Sequence, residues 1–429
     1  MSTASRGGPT AHVEAVYRRE VGSWGLLGVA SGLVEGATIA VLVKRGYTGL
    51  VDSFWLNLAV AVLSGASALA NISSFAWANF VHGRARVGLL AGMQLVFALL
   101  VGAIALIPFG PAGLLLTVLM VIAARLVWAG VLTARAAVWT ANYPRAMMAR
   151  MTGRIIVIGL PGFALASLGA GWVMDQGAAY ARWLYALAAV CGALAAWRYR
   201  AVRVRRQFQW LAAESAVSAA ESAFSLRKLR SILDADPAYR GYMFWMSLYG
   251  AGNLMMNAQL VVCFSERLHL PAITQIVLLT VVPYLLMPLF LPVWARMFDR
   301  GHVIEYRSRQ CWSLVGAGCI TACGVWFGLA ALLWLGAILL GISMAGSNLG
   351  WNLGHNDFAP SGHAQHYMGV HVTLTGVRGL IAPPLGILLY EALEHLRPGW
   401  GVWALCAPVA LLTAGGFGFV RMRGERRAA

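Results

Sequence analysis

Long apolar runs alternate with short polar connections along almost the whole chain. Crossing a hydrocarbon layer roughly 30 Å thick takes about 20 apolar residues in a helix. Runs of that length predict spans near 22–43, 54–76, 87–108, 112–138, 154–174 and 180–197. A polar stretch over 198–240 follows, and then a second set near 242–263, 272–294, 311–327, 329–353, 367–390 and 400–420. The expected fold class is an all-α membrane protein of twelve transmembrane helices. They form an N-terminal six-helix bundle (1–197), a central linker (198–240) and a C-terminal six-helix bundle (241–429).

Composition supports this picture. The 429 residues are 59% hydrophobic and 11% charged, whereas soluble domains carry about 25% charged residues. No soluble core hides so much apolar side chain, so its solvent is lipid. The net charge of +17 does not point to nucleic acid, because the basic residues sit in clusters between the runs. One side holds Arg18 and Arg19, Arg84 and Arg86, Arg145 and Arg150, the run 198–206, Arg296, Arg300, Arg307 and Arg309, and the tail from Arg421. Connections on the other side, such as 109–113 and 175–180, are nearly free of them. The positive-inside rule then places both termini and the linker in the cytoplasm. A bacterial inner membrane is the expected location. Part of the linker, near 210–230, reads as an amphipathic or solvated helix.

The halves repeat each other weakly, as secondary transporters do. WANFVHGRARV (77–87) follows the second run, and WARMFDRGHVI (294–304) follows the eighth. These connections resemble the Gly-x-x-x-Asp-Arg-x-Gly-Arg loops of the major facilitator superfamily. Asp299, Arg300 and Gly301 match in the second copy. The first keeps Gly83, Arg84 and Arg86 but has His82 in place of the acid. AARLVWAGVLTARAA (123–137) is similar to that family's Arg-x-x-Gln-Gly motif, with Arg125 as its Arg and Trp128 replacing Gln. The resemblance implies two six-helix bundles related by a pseudo-two-fold axis and transport by alternating access. It also implies lipid-facing third, sixth, ninth and twelfth spans, which carry no charge between their expected ends.

An ionisable side chain deep in the membrane faces a partner or a wet cavity. Glu35 and Arg125 sit mid-span, at depths differing by less than about 10 Å on a rise of 1.5 Å per residue. Glu35 is the expected protonation site and Arg125 the group that biases its charge; a static ion pair is the alternative. Asn348, Asn352 and His355 share one helical face, His371, Thr375 and Arg378 another, and Asn253 and Asn257 a third. These stripes are the expected substrate-binding residues, with Arg378 either holding an anionic group or locked to His371 or a backbone carbonyl. Gly83, Arg84, Asp299, Arg300 and His355 are the expected gating positions.

The chain carries no Walker loop, no HExxH and no nucleophile–base grouping, so an ion gradient rather than catalysis is the expected drive. The expected cargo is a small organic anion or drug-like solute, moved with a proton or other ion by a monomer in a lipid bilayer. No resident cofactor or metal and no nucleic-acid partner is expected. Two alternatives stand beside it. Met243, Met246, Met255 and Met256 with His371 suit a copper(I) importer, and the altered first loop motif suits a non-transporting sensor or assembly factor.

Overall fold

The computed structural model describes residues 11–143, 145–205, 207–215, 225–360 and 363–428. Ten of its helices are long and apolar enough to cross a membrane, and a bent pair, Val13–Leu33 with Gly36–Tyr47, makes an eleventh. The expected seventh span lies within Pro237–Glu266, a helix of 30 residues outside that set. The described residues thus give ten or eleven spans by length and apolarity, and that helix is numbered as the seventh span. The chain is a multi-pass membrane protein. Of the expected linker, Gln207–Ser215 and Leu226–Ala235 are helices, while 216–224 lies outside the described residues.

Two spans differ from expectation in ways that matter for the chemistry. The first is not one continuous helix: it stops at Leu33 and restarts at Gly36 with a 43° bend. Gly36 takes φ +30°, a region that costs other residues strain. Glu35 is extended (φ −90°, ψ 129°) and forms the N-cap of the second segment. Its carboxylate therefore projects from a break rather than from a helix wall.

The ninth span starts at Val303, not at 311. The His302 Nδ1 accepts the Ile304 N–H at 3.2 Å. An Asp357 carboxylate oxygen accepts the Val303 N–H at 2.6 Å, and Glu305 stands in the first turn. Acceptors and an acid at a helix start satisfy orphan donors and complement the dipole, so the helix begins eight residues earlier. Arg307, expected in a cytoplasmic connection, is thereby carried inside the bundle. The ninth span is charged, against the expectation for lipid-facing helices.

Packing is dense within each set of six spans. In the first set, span one packs against five and six, and span three packs against four and six. In the second, spans seven, nine and twelve pack together, as do eight, nine and ten. Between the sets, span two runs along span eleven, and span five meets span eight. Small residues permit the closest approach: a Cβ at Gly379 would lie 2.6 Å from the Leu69 nitrogen.

Candidate functional site

The break in the first span aims Glu35 at the fourth. Arg125 Nη2 lies 2.7 Å from its carboxylate, and Ser67 Oγ on the second span donates to it at 2.7 Å. The Arg125 side chain is 5% exposed and the Glu35 side chain 20%. Arg125 Nε and Nη1 have no hydrogen-bond partner among the described residues. Tyr284, on the eighth span, lies within electrostatic range of both charges. The pair expected from sequence is formed, at the seam between the two sets of spans.

A separate cavity of ≈ 560 Å³ lies in the second set, between spans seven, nine, ten and eleven. It brings together Asn253, Asn348, Asn352, Thr375 and Arg378 of the expected binding residues, beside Tyr249 and Trp351. Asn352 Nδ2 donates to the Asn348 carbonyl at 2.8 Å, so the two amides are coupled one turn apart. The Trp351 indole N–H reaches Thr375 Oγ1 at 3.4 Å. Arg378 donates from Nη2 to Thr375 Oγ1 at 2.5 Å, from Nε to the Leu374 carbonyl at 3.2 Å and from Nη1 to the Met246 carbonyl.

Other expected residues are placed elsewhere. Asn257 is part-buried on the seventh span and does not line the cavity. His371 is buried behind it, its ring edge-on to Trp351 at 5.4 Å, with neither nitrogen hydrogen-bonded among the described residues. His355 is buried in the turn Gly354–Asp357 that ends the tenth span. Gly83 makes the left-handed turn between spans two and three at φ +67°, and Arg84 covers the Phe80 ring at 4.1 Å. Asp299 caps the eighth span and is exposed, while Arg300 lines an open surface pocket with Glu305 and Arg309. The four methionines are buried but diverge. Met246 lines the cavity, Met255 fills the space over Gly386, and Met256 that over Gly318. Among the described residues no group of three or more His, Cys, Asp or Glu side chains could hold a metal ion.

Three features escaped the sequence. Arg307 is fully enclosed and lines the cavity with Arg378. The signal for it was the capped, acid-bearing first turn from His302 to Glu305. Glu20 is buried under the hydroxyls of Tyr143 (2.5 Å) and Tyr199 (2.9 Å). Nearby, Arg135 stacks 3.3 Å from the Trp24 ring centroid. Finally, Lys44 Nζ bonds Asn57 Oδ1 and Glu266 Oε1, both at 2.5 Å. Asn57 Nδ2 donates to Glu266 at 3.0 Å and to Glu391 at 2.6 Å, and the Tyr390 hydroxyl donates to Glu266 at 2.9 Å. Spans one, two, seven and eleven are thus tied at the end away from the arginine clusters. Asp175 adds a tie between spans five and eight by accepting the Ala272 and Ile273 N–H groups at 2.8 and 3.0 Å. No local pattern joins residues more than 200 positions apart.

No protein-family model matches the sequence, and no curated protein matches it. Solved structures do. The POT family transporter PepTSo superposes with a TM-score of 0.69 at 10% identity, over 98% of this chain and 99% of that one. A D-xylose-proton symporter gives 0.68 at 10% identity over 94% and 97%. The nucleoside transporter NupG gives 0.67 at 13% identity over 95% and 99%. The chain has the all-α major facilitator fold over nearly its whole length.

Proposed function

We propose that this chain, which carries the major facilitator fold, is a secondary active transporter moving a small organic anion by alternating access, with proton coupling through Glu35. The observation that carries the reading is the cavity on spans seven, nine, ten and eleven, whose largely apolar wall carries a cluster of polar side chains. Three amides, the hydroxyls of Tyr249, Ser347 and Thr375 and the guanidiniums of Arg307 and Arg378 meet there. Arg378 is buried, and a buried cation without a counter-charge is costly; a solute that brings negative charge to it and acceptors to the more open amides answers that cost. The structural neighbours are described as transporters of nucleosides, of xylose with protons, and of peptides. That range suits a fold in which side chains, not backbone, select the cargo.

The bundles are taken as 1–197 and 241–429, joined through 198–240, in a bacterial inner membrane with both termini cytoplasmic. The ties of Lys44, Asn57, Glu266 and Glu391 hold the bundles together at the far end in this conformation, in which the solute exchanges at the arginine-bearing end. Protonating Glu35 removes its charge and leaves Arg125 buried without a counter-ion. That state is expensive enough to bias the seam where the two bundles meet.

Reconstituted vesicles test this with benzoate as the probe anion. Wild type should exchange benzoate by counterflow and accumulate it under an imposed pH gradient. Glu35→Gln should keep the exchange and lose the accumulation, while Arg378→Gln should lose both. Accumulation by Glu35→Gln at the wild-type rate would remove Glu35 from the coupling, and exchange undiminished in Arg378→Gln would move the anion elsewhere.

A further inference from the structure

Charge is balanced unevenly in this protein. Arg125 has Glu35, and Lys44 has Glu266. In the cavity of the second bundle the pattern changes. Arg307 is 0% exposed and Arg378 7%, yet among the described residues neither forms an ion pair with an acid. Arg307 Nη1 donates to Gln310 Oε1 at 2.8 Å and Nη2 to the Ser347 carbonyl at 3.3 Å, both neutral acceptors, and its Nε has no hydrogen-bond partner among the described residues. Arg378 is likewise held by carbonyls and a hydroxyl. Arginine does not shed its proton to escape burial, and a buried cation without a counter-charge is among the costlier features a membrane bundle can hold.

Both guanidiniums are also seated in the same way. A Cβ at Gly350 would lie 2.6 Å from Arg307 Cζ and Nε, and a Cβ at Gly250 would lie 2.9 Å from Arg378 Cζ. Each planar group therefore lies against a glycine surface, and any larger residue would push it aside. Neutral acceptors fix the position of each charge without cancelling it. Such an arrangement is a pre-oriented receptor for negative charge rather than an internal lock.

The geometry points to a two-guanidinium site, Arg307 with Arg378, that takes a solute bearing two negative charges, such as a phosphate monoester or a compact dicarboxylate. Leu254, Leu314, Met344 and Trp351 of the same cavity receive the apolar remainder of that solute. This deepens the organic-anion reading of the cavity and rests on it. Its new content is the charge of the cargo and the role of Arg307 in setting it.

Binding to the purified full chain in micelles, followed by tryptophan fluorescence, tests the site with three probes of similar shape. Phenyl phosphate carries close to two charges at pH 7.5, benzoate one and benzamide none. One further charge-assisted contact corresponds to about 10- to 100-fold in affinity, so phenyl phosphate should bind at least tenfold tighter than benzoate, and benzoate tighter than benzamide. Lowering the pH to 5 protonates the phosphate, whose second pKa is about 6, and should erase the preference without weakening benzoate. Arg307→Gln should cut the preference to less than about threefold while leaving benzoate binding, and Arg307→Lys should restore part of it. Should Arg307→Gln fail to fold, Gly350→Ala keeps both charges, displaces the Arg307 guanidinium and should give the same loss. Equal binding of phenyl phosphate and benzoate, both above benzamide, would overturn the two-charge site and leave the anion reading standing. Equal binding of all three, or none, would overturn both.

Discussion

Replacing Lys44 by Gln tests the tie that holds the two bundles together at the far end. Lys44 Nζ makes two contacts of 2.5 Å, to Glu266 and Asn57, from a side chain only 4% exposed. Removing it does not orphan Glu266, which still accepts from Asn57 and Tyr390. The loss is therefore that of a charge-assisted bond, about 1.5–3 kcal/mol. The Glu266 side chain is 32% exposed, and partial solvation trims the figure to about 2 kcal/mol. At about 1.4 kcal/mol per decade, the open population at that end should rise roughly 30-fold. Amide hydrogen exchange reads this directly, because exchange through a local opening scales with the open population. Peptides covering 44–57 and 263–272 should exchange roughly 30-fold faster in Lys44→Gln. Peptides inside the fourth span, Pro111–Asn142, should not change. Exchange within threefold of wild type at both far-end segments would refute the idea that this network closes the seam.

Two further outcomes are expected. Gly379→Ala drives a methyl into the Ala68–Leu69 backbone of the second span, an overpacking cost of about 1–3 kcal/mol; thermal unfolding in micelles should show it, while Gly169→Ala, with open space around it, should be neutral, and equal melting of the two variants would contradict the close approach. Burial and the Arg426 charge push His302 below its ordinary value of 6.5, with Asp357 opposing, so the fold prefers the neutral ring. That stability is present above about pH 6.5 and is lost as the pH falls below it; His302→Asn, which keeps a cap acceptor, should flatten the decline in melting temperature between pH 7.5 and 5.5, and an unchanged decline would clear His302.

Much of the architecture was legible one segment at a time. Apolar runs of membrane length mark the spans because lipid tolerates little else, and the Glu35–Arg125 pair could be anticipated because both sit at comparable depth in runs that otherwise exclude charge. The stripes on the tenth and eleventh spans were readable from helical periodicity, and Asn348, Asn352, Thr375 and Arg378 do line one cavity. Boundaries were less legible. A window scored for hydropathy starts the ninth span after its arginines, whereas the helix is set by capping hydrogen bonds at His302 and Asp357. The difference moved Arg307 from a loop into the cavity.

Residue order and hydropathy suffice to place this chain in lipid, to say roughly where it crosses, and to mark which helical faces are too polar to meet acyl chains; each follows from transfer free energy summed over neighbouring residues. Tertiary structure alone decided that the first span breaks at Glu35, that Arg307 joins Arg378, and that Lys44 meets Glu266 across 222 positions. Those outcomes depend on which helices touch and how closely glycines let them approach, and short-range periodicity carries no record of either.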